Sequence, residues 1–292
     1  MTSQDVPQQT RLNLRDAGLQ HLPEALWDRT ELLELSLGMN PLGAIPATVG
    51  NLSALERLYL DDCQLQDLPD AVRHLRHLRI LDIAHNQLSH LPAFLGELVH
   101  LNFLYVSDNR LTDLPEALGN LSRLHYLGAT HNQLHTVPES LGQLGQLREL
   151  RLYDNQLSVL PSALGQLSAL REVYLMNNQL RTLPPSLGGW QAVRRLNVNR
   201  NQLEALPESL GELKHLTDLE LRHNRLEALP DTLQALSNLR YLDVRSNRLK
   251  VLPAWLADLP HLEKLDARWN LLEPHIPPAL EGLQARGCLI YL

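Results

Sequence analysis

Asparagine returns at positions 40, 86, 109, 132, 155, 178, 201, 224, 247 and 270, and Cys63 fills the one gap, so eleven positions share a step of 23 residues. Proline keeps the same step from Pro23 to Pro253. The unit between them reads L-x-x-L-x-L-x-x-N-x-L-x-x-L-P-x-x-L-x-x-L, carried for example by Leu147, Leu150, Leu152, Asn155, Leu157, Leu160, Pro161, Leu164 and Leu167. A fixed period of about 20–50 residues constrains a fold more than any local propensity. Each copy must be one structural unit that buries its apolar face against the copies before and after it.

The unit predicts its own geometry. In LRELRL the leucines at 150 and 152 alternate with polar residues, the period of a strand with one buried face. A step of 23 residues is too short for a full βαβ unit, so successive strands stack in parallel as coils of a solenoid. Proline suits the first turn of a short helix, where its missing N–H is not needed. Gly50, Gly96, Gly119, Gly142, Gly165, Gly188 and Gly211 each follow that proline by four residues, which predicts a left-handed helix cap. The connecting segment is then one turn of helix or 3-10. The recurrent asparagine lies where the chain turns inward and is expected to satisfy buried backbone groups of adjacent coils.

The repeat resembles the leucine-rich-repeat family, more narrowly the 23-residue LPxxLGxLxxL type of intracellular scaffold proteins and bacterial relatives, over about residues 9 to 283. The resemblance implies an α/β fold: a right-handed leucine-rich-repeat solenoid (horseshoe) with a parallel concave β-sheet and short convex helices or 3-10 turns. One domain spans 1–292, with about twelve coils. In the first coil, residues 1–31, Ala17 replaces the asparagine and Gln9 the first leucine, as expected of an N-terminal cap. In the closing segment, residues 273–292, an extra residue shifts the frame (EPHIPPALEGL) before GCLIYL, which places Leu289 and Tyr291 inward and Cys288, Ile290 and Leu292 outward. An apolar final strand suggests a homodimer through this C-terminal edge, against the simpler reading of a lid over the core.

Composition narrows the chemistry. Aromatics are 4% and Phe occurs twice, so leucine must build the core. A net charge of −7 argues against a general nucleic-acid binder, which displaces phosphate counterions with uncompensated Lys and Arg. Nearly all positive charge is arginine, beside Lys214, Lys250 and Lys264, which fits a GC-rich bacterial genome. Two cysteines give neither a disulfide framework nor zinc spacing. No signal peptide is visible and no apolar run approaches the ~20 residues that span a bilayer. The expectation is a cytoplasmic protein, or one exported to a host cell without a cleaved signal, that takes no cofactor and no small-molecule substrate.

No phosphate loop, HExxH, CxxC or GxSxG occurs, so no catalytic residue is assigned. Cys63 reads as a substitute for a ladder asparagine. The residue before the ladder position runs Asp62, His85, Asp108, His131, Asp154, a compensated polar rim with a zinc site as the alternative. The residues between the buried leucines point away from the core. Six of the seven tyrosines fall there (Tyr59, Tyr105, Tyr126, Tyr153, Tyr174, Tyr241), with Phe103, Met176 and Arg151. Tyr with Arg is the composition of binding hot spots, although strands favour tyrosine for packing alone. Further on, Glu220, Asp243 and Asp266 face Arg222, Arg245 and Arg268 as an expected salt-bridged ladder, with Arg200 beside it. These residues point to non-enzymatic binding of a protein partner on the concave face. The alternative is the substrate-recognition part of a bacterial effector or ubiquitin-ligase-type enzyme whose catalytic domain lies on other sequence.

Overall fold

Each strand is three residues long and centres on one leucine, valine or isoleucine that points into the core. The computed structural model describes residues 10–273 and 278–292. They fall into two compact units, Met1–Gln133 and Leu134–Leu292. The first contains β1 (Arg11–Asn13), β2 (Glu34–Ser36), β3 (Arg57–Tyr59), β4 (Ile80–Asp82), β5 (Phe103–Tyr105) and β6 (Tyr126–Gly128). All pair in parallel, with Leu12, Leu35, Leu58, Leu81, Leu104 and Leu127 in one row. The second contains β7 (Glu149–Arg151), β8 (Glu172–Tyr174), β9 (Arg195–Asn197), β10 (Asp218–Glu220), β11 (Tyr241–Asp243), β12 (Lys264–Asp266) and β13 (Leu289–Tyr291). Their central row is Leu150, Val173, Leu196, Leu219, Leu242, Leu265 and Ile290. Each unit is therefore a solenoid of parallel strands, the fold class that the repeat predicts.

The return path of each coil is a five-residue 3-10 turn opened by the recurrent proline, as at Ala93–Glu97 after Pro92 (φ −68°, ψ 142°). A longer helix, α1 (Ala279–Ala285), precedes β13. The glycines in these turns are not left-handed caps. A Cβ on Gly96 would overlap the carbonyl oxygen of Ala117 on the next coil, so glycine is required by the closeness of neighbouring turns. Positive φ occurs instead at the residue before the ladder position: Asp62 (54°), His85 (55°), Asp108 (53°), His131 (50°) and Asp154 (55°), then Asn177, Arg200, His223, Ser246 and Trp269. Asp, Asn and His tolerate that conformation better than most side chains. The Asp–His column thus has a conformational cause beside charge compensation.

The asparagine ladder is a set of buried bridges between coils. Asn178 Nδ2 donates to the carbonyls of Leu152 (2.9 Å), Leu175 (3.0 Å) and Met176 (3.3 Å), and its Oδ1 accepts the N–H of Leu157 (2.9 Å). Cys63 takes the donor half of this role as the repeat implies: its Sγ lies 3.3 Å from Leu37 O and 3.6 Å from Asp61 O. Burial pushes its thiol up to about 11, a poor nucleophile at neutral pH. Trp190 stands where other coils have leucine, fully buried, with Nε1 donating to Leu164 O at 2.7 Å.

At the N-terminal end Leu12, Leu14 and Leu19 are only half-buried, in keeping with a terminal coil. Gln9 and residues 274–277 of the frame-shifting stretch lie outside the described residues. The phase expected for the last strand is reversed. Ile290 pairs in register with the core residue Leu265, and Cys288 is buried, whereas Leu289 and Tyr291 are exposed; Leu292 is exposed as expected. The closing coil returns through α1, so core positions 265 and 290 are 25 residues apart, not 24, and one residue of slip turns over a whole strand.

Candidate functional site

In the first unit four predicted residues share the open face of the sheet, and three of them touch. The rings of Tyr105 and Tyr126 lie 4.7 Å apart, and Phe103 is 6.5 Å from both Tyr126 and His125. Such tilted spacings suit the aromatic quadrupole. Phe103 is exposed although nothing in the fold requires an aromatic there. The cluster depends on Gly128: a Cβ there would stand 2.7 Å from Tyr126 Oη, so glycine lets that ring lie across β6. A glycine inside a strand is itself a signal of close approach, and it is visible in the sequence.

Tyr59 lies two strands away, half-buried, with burial raising its phenol above the usual range. Between Tyr59 and Tyr105, in register with both, stands Asp82. Its Oδ1 accepts the N–H of Ala84 (3.1 Å), and burial, with the charge of Asp61 next in weight among the raising influences, holds its carboxyl above the ordinary value. Asp61 itself is buried and held by Arg15 through contacts of 2.7 and 2.6 Å. Neither carboxylate was singled out from the sequence, because an isolated Asp between leucines looks like any solvated strand residue.

In the second unit Tyr174 is held from three sides. The Arg151 guanidinium sits 5.2 Å over its ring, its hydroxyl donates to Glu172 Oε2 (2.5 Å), and Arg195 Nη1 donates to its oxygen (3.3 Å). Tyr153 and Met176, half-buried, follow β7 and β8 on the same side. The structure thus places Arg151 and Tyr174 in contact, while Arg200, Arg222 and Arg245 belong to later coils.

The expected salt-bridged ladder is only partly made. Asp243 receives Arg245 Nε (2.9 Å) and Nη2 (2.5 Å), and Asp266 receives Arg268 Nε (2.9 Å) and Nη2 (2.7 Å). Asp266 is almost wholly buried; burial works to raise its carboxyl, but Arg268 and Arg245 outweigh it and hold the group low. Glu220 does not pair with Arg222. Its Oε2 is taken by the amides of Asn197 (3.0 Å) and Asn199 (2.7 Å). At the end of this unit Tyr291 lies under the cations of Lys264 (5.5 Å) and Arg268 (5.1 Å), so the seventh tyrosine joins the open face. Trp269 (66% exposed), Leu271 (62%) and Leu289 (57%) leave apolar surface there.

In the polar rim of the first unit, Asp108 lies 3.6 Å from His85 Nδ1 and 3.8 Å from His131 Nδ1. Among the described residues no group of three or more His, Cys, Asp or Glu side chains converges as a metal centre requires.

A family described as "Leucine-rich repeat region" matches residues 47–152 and 78–200, and one described as "Leucine rich repeat" matches 214–272. No curated protein matches the chain. Among solved structures, an internalin (InlF) of Listeria monocytogenes is similar over 97% of this chain and 79% of its own, with TM-score 0.83 and 24% identity. The Leptospira interrogans LRR protein LIC12759 is similar over 96% of this chain and 95% of its own (TM-score 0.51, 24% identity). The plant peptide hormone receptor RGFR1, solved in complex with RGF2, is similar over 93% of this chain at TM-score 0.73 and 25% identity. This chain spans only 52% of that receptor's chain.

Proposed function

Since this chain belongs to the leucine-rich-repeat family, we propose that it is a non-enzymatic recognition module whose open strand face binds a protein partner. The observation that carries this reading is the Phe103–Tyr105–Tyr126 cluster, large rings grouped on a face that the core does not need. Tyrosine offers wide contact area at low entropic cost, the property that concentrates binding energy in a few residues. Arg151 and Tyr174, already fixed against each other, form a second preorganised contact, and Tyr59, Tyr153 and Met176 extend the two surfaces. RGFR1, whose fold this chain shares, was solved with RGF2, which supports a proteinaceous ligand.

The test is a pull-down from the source organism, followed by affinity measurement on the recovered partner. Changing Tyr105 and Tyr126 together to Ala should weaken that partner by about 30-fold or more, the loss of roughly 2–4 kcal/mol expected at a hot spot. Equal affinity with an unchanged circular dichroism spectrum would remove the aromatic face as the binding surface.

A second reading concerns the C-terminal edge, where exposed Trp269, Leu271 and Leu289 favour contact with a second copy of the chain. Light scattering over a concentration series, wild type beside Leu289→Ser with Leu271→Ser, should show a wild-type dimer that the variant loses. A wild-type monomer at high micromolar concentration eliminates this reading.

A further inference from the structure

On the open face of the second unit, the column of acids and the column of arginines beside it do not pair evenly. Asp243 and Asp266 are taken by Arg245 and Arg268, and Glu220 by two asparagine amides. The Arg222 side chain is left over. Its Nε is shielded from water and has no hydrogen-bond partner, and its guanidinium forms no ion pair among the described residues. A shielded donor without an acceptor is uncommon in a finished fold and calls for an explanation.

The neighbours of Arg222 deepen the imbalance. Arg200, on the preceding coil, is exposed, forms no ion pair among the described residues, and its backbone N–H is bonded to Arg222 O at 2.7 Å. His223 follows Arg222, with its N–H on Arg245 O at 2.9 Å. Adjacent coils are about 4.8 Å apart, so the three side chains can converge on one small group. His223 is held below the ordinary imidazole value first by burial and then by the charges of Arg200, Arg222 and Arg245, with Asp243 opposing. The nearby carboxylates are already engaged, Asp243 by Arg245 and Glu220 by two asparagine amides, so Arg200 and Arg222 have none of their own among the described residues.

We propose that Arg200, Arg222 and His223 form an anion subsite that receives the carboxylate of an aspartate or glutamate side chain in an acidic peptide segment. This rests on the protein-recognition reading above and adds the chemistry of one contact. With Nε shielded, the two terminal nitrogens of the Arg222 guanidinium are the ones that can meet a carboxylate with parallel N–H donors, a stronger and more directional contact than a single neutral hydrogen bond. His223 supplies a further N–H, and the arriving negative charge relieves the repulsion among the basic groups.

A hexaglutamate peptide is the probe, with hexaglutamine and inorganic phosphate as the other arms, and the His223 imidazole resonance, assigned by its loss in His223→Gln, is the reporter. Hexaglutamate should shift that resonance saturably and raise the pH at which it titrates, whereas hexaglutamine should do neither. Arg222→Gln should weaken the peptide about tenfold, the scale of one charge-assisted contact. Arg123→Gln, a loss of the same charge in the other unit, should leave it unchanged. No saturable shift, or equal weakening by both arginine variants, overturns the subsite. Saturation by phosphate but not by hexaglutamate overturns the carboxylate assignment. The Tyr105 and Tyr126 variant keeps the two proposals apart: a partner that it weakens while Arg222→Gln does not leaves the aromatic face standing and removes the anion subsite alone.

Discussion

Asn109→Ala is expected to cost about 4 kcal/mol of stability, far more than a polar substitution on a repeat surface. The Asn109 amide donates to the carbonyls of Ile83 (3.0 Å), Val106 (3.1 Å) and Ser107 (3.1 Å), and its Oδ1 accepts the N–H of Leu88 (2.9 Å). Alanine offers none of these partners, and the backbone groups left behind stay out of reach of bulk water. Each orphaned buried group costs about 1–3 kcal/mol, and several are orphaned together. Asn120, exposed at the end of a 3-10 turn, is the control, and its change to Ala should stay within about 0.5 kcal/mol. Urea unfolding followed by circular dichroism reads both; a loss below 1 kcal/mol at Asn109 would show that the ladder does not hold adjacent coils together.

Trp190→Ala should be of similar size, about 3–5 kcal/mol, through a different cause. Trp190 is the largest fully buried side chain, and its removal leaves a cavity the size of an indole between turns that cannot collapse without losing their own hydrogen bonds. It also strips Leu164 O of its 2.7 Å donor. Trp190→Phe separates the two effects, since it keeps most of the ring volume and deletes only the N–H, so it should cost clearly less than Trp190→Ala. Equal losses for the two variants would assign the effect to the hydrogen bond and refute the packing account.

The coil architecture was legible because it rests on periodicity. The asparagine step, the leucine alternation and the proline at each return all report contacts between copies of one unit, and such contacts repeat in sequence as they do in space. Cys63 was legible for the same reason: its place in the step assigns its role. What escaped the sequence were local departures from the average coil. The glycines after proline looked like caps because that is the commonest use of a glycine ending a turn, whereas here the approach of Ala117 O excludes a side chain at Gly96. The phase of β13 depends on how many residues α1 absorbs, which no repeat unit records.

The candidate site divides along the same line. That tyrosines would stand on the open face followed from the strand period. Which of them touch, and that Gly128 makes room for Tyr126, required coordinates. The column of Glu220, Asp243 and Asp266 beside Arg222, Arg245 and Arg268 looked uniform in sequence. Two asparagine amides capture Glu220 and break that uniformity at Arg222.

Cys63 also limits how freely coils of the first unit could be exchanged. A ladder asparagine offers an oxygen to the coil before it, as Asn86 does for the N–H groups of Cys63 (3.1 Å) and Leu65 (2.9 Å). Sulfur makes no comparable offer, and the preceding turn is wired differently: Leu42 N–H donates to Asn40 O (2.7 Å), and Gly43, at φ 69°, donates to Cys63 O (3.0 Å). Regular coils are interchangeable parts, since each presents the same donors forward and the same acceptors back, and a whole number of them could be spliced out or duplicated without rewiring their neighbours. The joint between Asn40 and Cys63 is a keyed one. Its altered turn and its cysteine answer each other, so an ancestral or engineered duplication crossing it keeps this wiring when it carries both halves together.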